Sequence, residues 1–107
     1  MKDILRKYRT RYVLVKVDPE RASPIKITED IMAAIKELMG DFAIFRVEIK
    51  IVDLNKKGYV LLKCRYYDIN PQFLYLAISY ARKFDLAIVP IKAYGTIKSA
   101  KSAFEFL

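Results

Sequence analysis

The strongest constraint on the fold is an alternation that doubles back on itself. Ala43, Phe45, Val47, Ile49 and Ile51 interleave with Ile44, Arg46, Glu48 and Lys50. A period of two is the signature of an extended strand with one dry and one charged face. Asn55-Lys56-Lys57-Gly58 then supplies turn chemistry, with Gly58 free to take φ > 0. Tyr59 to Arg65 returns as the second arm of a hairpin.

The flanking segments set the class of fold. Residues 11–17 are β-branched and alternate, so Val13, Val15 and Val17 face a core and Tyr12, Leu14 and Lys16 the other side. Asp18-Pro19 opens a loop that also holds Pro24. Thr28 reads as a helix N-cap, with Glu29 and Asp30 suiting the positive helix start. Ile31, Ala34, Ile35, Leu38 and Met39 form one helical stripe, giving a helix over 29–39 that ends at Gly40. After the hairpin, Asn70-Pro71 starts a helix over 70–84, residues 86–94 form a fourth strand, and Gly95-Thr96 leads into a terminal helix. The order β-α-β-β-α-β plus a helix is the split βαβ pattern. It implies an α+β, ferredoxin-like or RRM-like sandwich: one antiparallel sheet with both crossover helices on one face. With no repeat, low-complexity stretch or linker, residues 1–107 read as a single domain.

Composition narrows the chemistry. There is no histidine and one cysteine, which excludes a His-based triad, a His-ligated zinc site, a Cys cluster and an intrachain disulfide. No metal site is expected, and a reducing, cytoplasmic setting is the simplest reading. No segment approaches the roughly 20 apolar residues that cross a bilayer. The carboxylates are scattered among cations. The adjacent pair Glu29-Asp30 points about 100° apart on its helix and makes a poor acid/base couple. Cys64 falls on the dry side of its strand. Catalysis by the protein's own side chains is therefore not expected.

Twenty Lys and Arg against twelve Asp and Glu leave a net +8, which calls for an acidic partner. The cations gather in three places. Lys2, Arg6, Lys7, Arg9 and Arg11 crowd the N-terminus with Tyr8 and Tyr12 among them, a pattern that can neutralise phosphates and stack bases, or simply a solvated terminus. The outward sheet face carries Lys16, Arg46, Lys50, Lys63, Arg65 and Lys92, with Tyr12, Tyr59 and Leu61. Lys57-Gly58-Tyr59 opens like an RNP1 signature, but Val60, Leu61 and Cys64 break it. Leu14, Ile44, Leu61 and Ile88 on the same face favour a cover, for which the terminal helix is the candidate. Third, Gly95-Thr96 starts that helix with Lys98 and Lys101 on one face of it, either an anion site or an ordinary N-cap. The helix over 70–84 is apolar nearly all round, and Phe73, Leu74, Leu76 and Tyr80 point to a protein partner.

In Arg9-Thr10-Arg11-Tyr12-Val13, the helix ending at Gly40, and Gly95-Thr96-Ile97-Lys98-Ser99-Ala100, the chain resembles the ribonuclease P protein component 2 family of archaea and eukaryotes. The likeness spans about residues 9 to 104; many members carry serine where this chain has Tyr94. The resemblance implies an RNA-binding, non-catalytic subunit of the endonuclease that removes the 5′ leader of precursor tRNA. The RNA component would hold Mg²⁺ and perform the chemistry, and a TIM-barrel subunit, component 3, would join in a heterotetramer of two copies of each. Arg6, Lys7, Arg9, Arg11, Thr96, Lys98 and Lys101 are then the expected phosphate contacts, with Tyr12 a stacking residue. An ACT-type ligand-sensing domain shares the topology, but its glycine-containing loop after strand one has no counterpart in Asp18 to Pro24. An acylphosphatase-like enzyme would need a glycine-rich phosphate loop there and lacks it as well.

Overall fold

The computed structural model describes residues 8–20, 22–81 and 86–107. Its elements run β1 (Arg9–Asp18), α1 (Pro24–Met39), α2 (Asp41–Ile44), β2 (Val47–Leu54), β3 (Tyr59–Tyr66), α3 (Pro71–Tyr80), β4 (Ala87–Tyr94) and α4 (Ile97–Phe104). The strands form one sheet in the order β2-β3-β1-β4, each neighbouring pair antiparallel. This is the ferredoxin-like arrangement, with α4 as the added C-terminal helix. No helix among the described residues is long and apolar enough to cross a membrane. Arg6 and Lys7 lie outside the described residues, as do 82–85, where the helix expected over 70–84 would have continued past Tyr80 and Ala81.

Local chemistry explains the boundaries, in places differently from the pattern. α1 begins at Pro24 rather than near Thr28: Ser23 is the N-cap, its Oγ accepting from the Lys26 N–H at 3.1 Å, and Pro24 takes the first turn. Thr28 sits inside the helix and donates its hydroxyl to the Pro24 carbonyl. The extra turn buries Ile27 beside Ile31, Ala34 and Ile35. Gly40, at φ 86°, ends the helix and returns its N–H to the Lys36 carbonyl at 2.9 Å. The long strand expected from Ala43 starts only at Val47, because Asp41–Ile44 close a short helix, α2. Phe45 and Arg46 are therefore turn residues, and Arg46 leaves the sheet face for an ion pair with Asp68 at 3.0 Å. From Val47 to Lys50 the alternation holds, buried and exposed in turn. Asn70 caps α3 through the Gln72 N–H, with Pro71 behind it.

Two clusters of buried side chains lie on opposite faces of the sheet. The larger joins Val13, Val15 and Val17 to Leu62 and Cys64, and to Ile31, Ile35, Leu74 and Ile78 from the helices. Ile88 belongs to it, paired across from Val17, and not to the outer face where the pattern put it. The smaller holds Leu14, Leu61, Ala100 and Phe104, with Tyr12, Val52, Tyr59, Tyr94 and Leu107 at its rim. The terminal helix is thus the cover that the apolar outer residues call for.

Cys64 is fully enclosed in the larger cluster, and burial pushes its thiol up to about 12. The folded chain holds that proton while the unfolded chain releases it near 9. The raised value makes the thiol's contribution complete below pH 9 and erodes it as pH climbs towards 12. Stability is expected to fall over that window, and Cys64→Ala, at its own cavity cost, to flatten the fall. Native protein should resist a thiol-labelling reagent that reacts at once in denaturant. Fast labelling of the native chain would show that Cys64 is not enclosed.

Candidate nucleic-acid interface

The cross-strand register sorts the outer face into rows. Glu48, Arg65 and Thr10 stand side by side across β2, β3 and β1. In the next row Lys50 faces Lys63, which faces Tyr12, which faces Tyr94. Beyond it Leu61, Leu14 and Lys92 line up, and here α4 closes over the sheet. The face is therefore divided: its far end is roofed by α4, while Lys50 and Glu48 on β2 are exposed and Lys63 and Arg65 on β3 half-buried outside that cover. Tyr59 and Leu61, the aromatic and its neighbour that echo RNP1, lie in the roofed half.

Placing two lysines directly opposite one another destabilises a sheet by mutual repulsion. Lys50 has Glu48 at 3.6 Å, but no ion pair answers Lys63 among the described residues. Lys98 and Lys101 on α4 are likewise exposed and without an ion pair among the described residues. Thr96 is less free: its hydroxyl accepts from the Ser99 N–H at 3.2 Å and donates to Ser99 Oγ at 3.0 Å. Its first role is to cap α4. Lys16 and Lys92, by contrast, lean on rings, at 4.9 Å from the Tyr59 centroid and 5.3 Å from that of Tyr94.

Arg9 and Arg11 stand apart from this group. They share the parity of Val13, so their side chains lie on the helix side of the sheet. There they line a groove of about 400 Å³ with Tyr67, Asn70 and Pro71 at the start of α3. Arg11 donates to the Thr10 carbonyl at 2.9 Å. It also lies near Tyr75, whose hydroxyl is held above its ordinary range by burial first and Tyr66 next, with Arg11 pulling the other way. The structure thus brings Tyr12, Lys98 and Lys101 to one side and Arg9 and Arg11 to another.

Around the end of the sheet runs a ladder that the linear pattern did not disclose. Arg65 lies over the Tyr8 ring at 5.0 Å, and Tyr8 meets Tyr67 edge to face at 4.9 Å. Arg46 lies 5.5 Å from the Tyr67 centroid and 5.8 Å from that of Phe42. Each contact is worth about 0.5–1.5 kcal/mol. Pairing of β3 with β1 and β2 assembles it, which is why no spacing of residues announced it.

The helix layer carries the second surface. Phe73 and Leu76 on α3 are more than half exposed, as is Phe42 on α2. Phe42 and Phe73 line a groove of about 320 Å³ with Met39 and Ile69. Leu74 is no part of this surface: it points inward and is wholly buried against the sheet, with Ala77 and Ile78. Tyr80 is half-buried and donates its hydroxyl to Glu37 Oε1 at 3.2 Å. Phe42 falls just before the strand expected from Ala43, and only the short helix α2 brings it to this surface. Among the described residues no three Cys, Asp or Glu side chains come together in a metal-holding group.

The fold and its faces define a class: a small α+β protein of ferredoxin-like topology whose basic sheet face is half covered by its own last helix. The chain belongs to the Rpp14/Pop5 family of ribonuclease P protein subunits, which it matches over residues 11–105, from β1 to the end of α4. Comparison with curated proteins finds no match.

Proposed function

We propose that this chain is the component 2 type of ribonuclease P subunit, an RNA-binding protein that supports the fold of a catalytic RNA during removal of the 5′ leader from precursor tRNA. The observation that carries the reading is the Lys50–Lys63 cross-strand pair, outside the α4 cover, with Arg65 in the adjoining row. A sheet tolerates such a repulsive arrangement when a polyanion laid across it offsets the charge, and phosphates do so with release of counterions. Lys98 and Lys101 extend the basic surface from α4, and Arg9 and Arg11 offer a separate phosphate contact beside α3. Tyr12, beside Lys63, is the stacking residue. In this reading the protein contributes no catalytic group; Mg²⁺ and the cleavage chemistry belong to the RNA, in the cytoplasm. The exposed Phe42, Phe73 and Leu76 are the surface for the TIM-barrel subunit, component 3, in an assembly with two copies of each.

The test is binding of the full chain to ribonuclease P RNA across a salt series. Affinity is expected to fall steeply with salt. The double variant Lys50→Ala, Lys63→Ala should bind about tenfold more weakly, with the log–log salt slope reduced by about 2. An unchanged slope in that variant would remove the sheet face from the interface. Absence of salt-dependent binding would remove RNA as the partner.

A further inference from the structure

Where the edge strand β2 begins, a cleft of about 350 Å³ opens between the sheet end and the turn after α2, lined by Tyr8, Ile44, Phe45, Val47, Glu48 and Arg65. It is at the small end of the size range for ligand cavities. Its composition is unusual for a surface hollow. Two aromatic rings, one guanidinium and one carboxylate meet there, and each is held or presented differently.

Tyr8 is fixed from two sides, by Arg65 over its ring and by the edge-to-face contact with Tyr67. Phe45 is the opposite case: the residue is 80% exposed, though a side chain of that size gains by burial. Glu48 is the acid in a row otherwise formed by Arg65 and Thr10, and Lys50, at 3.6 Å, keeps a cation beside it. The cleft adjoins the Lys50–Lys63 row, so a strand whose phosphates follow those two lysines delivers its bases to this rim. Single-stranded nucleic acid is held by this combination of a cationic track and aromatic platforms.

We propose that this cleft receives one unpaired nucleobase of the bound RNA and that guanine is the base it prefers. The proposal rests on the RNA-binding reading above and adds a sequence preference to it. A planar base entering the cleft meets aromatic surface from Tyr8 and Phe45, which any base can use. Glu48 supplies the discrimination, because an ionised carboxylate only accepts hydrogen bonds. Guanine presents two adjacent N–H donors on its Watson–Crick edge, one for each carboxylate oxygen. Uracil presents one N–H flanked by carbonyl oxygens, which the carboxylate repels. Adenine and cytosine each offer one amino donor next to a ring nitrogen acceptor, enough for a single bond.

The experiment compares binding of the full chain to hexauridylate with binding to the same oligomer carrying one central guanosine, inosine, adenosine or cytidine. The guanosine oligomer is expected to bind about tenfold more tightly than hexauridylate, with inosine, which lacks the 2-amino group, in between. Glu48→Gln should strengthen binding to every oligomer by removing a negative charge, yet bring the guanosine-to-uridine ratio close to one. Phe45→Ala should weaken binding of the guanosine oligomer about tenfold by loss of stacking. Steeply salt-dependent binding with no base preference overturns the cleft and leaves the RNA reading standing. Equal affinity for all four substituted oligomers overturns the guanine assignment. Failure to bind either the oligomers or ribonuclease P RNA overturns both.

Discussion

Gly58→Ala is expected to destabilise the protein by about 3 kcal/mol, more than any other single methyl group added to the described glycines. Gly58 closes the β2–β3 turn at φ 87°, and a Cβ there would stand 2.6 Å from the Val17 carbonyl oxygen. Lys16 Nζ at 3.0 Å and Glu20 Cγ at 3.2 Å can swing away, but the carbonyl belongs to β1 and cannot. The same close approach holds the hairpin to β1, since the Val17 N–H donates to the Gly58 carbonyl at 2.8 Å. Left-handed backbone costs a non-glycine residue about 1–2 kcal/mol, and relieving the collision about 1–3 kcal/mol more. Gly95→Ala is the control: its φ lies outside the positive range and a Cβ there meets nothing within 4 Å, so little loss is expected. Urea unfolding of both variants checks this. Equal losses would mean that the turn does not press on β1.

Leu62→Ala and Leu61→Ala should separate the two clusters. The residues are adjacent, both wholly buried, and point to opposite faces. Leu62 lies in the larger core between sheet and helices, so truncation leaves a cavity that the layers cannot close, at about 3–4 kcal/mol. Leu61 lies in the smaller cluster, which α4 closes through Ala100 and Phe104. The native state can answer its loss by releasing that helix, so the penalty is capped at what docking α4 contributes, about 2 kcal/mol. Hydrogen exchange then distinguishes the two. Leu61→Ala should strip protection from the Ala100 to Phe104 amides while the strands keep theirs, whereas Leu62→Ala should lower protection throughout. Undiminished protection of α4 in Leu61→Ala would show that Leu61 does not hold it down.

What the chain states locally, it states in periods and caps. Val13, Val15 and Val17 face inward as their alternation requires, Gly40 ends a helix, Asn70-Pro71 begins one, and Asn55 to Gly58 turns the hairpin. Expectation and structure part at two helix starts. α1 starts at Ser23-Pro24 instead of the expected Thr28, and burial of Ile27 in the extra turn favours that start. Likewise, residues 43–46 are too few to distinguish a strand from a turn of helix, and Gly40 with its positive φ allowed the chain to coil again.

The basic character of the outer face belongs to the sequence alone, because side chains at every second position of a strand share a face whatever the rest of the chain does. Which half of that face α4 leaves uncovered does not. It depends on α4 docking over Leu14 and Leu61, and the ladder from Arg65 through Tyr8 and Tyr67 to Arg46 depends on strand register between residues far apart in the chain. Periodicity is a property of one segment, whereas cover and neighbourhood are settled by packing several segments together.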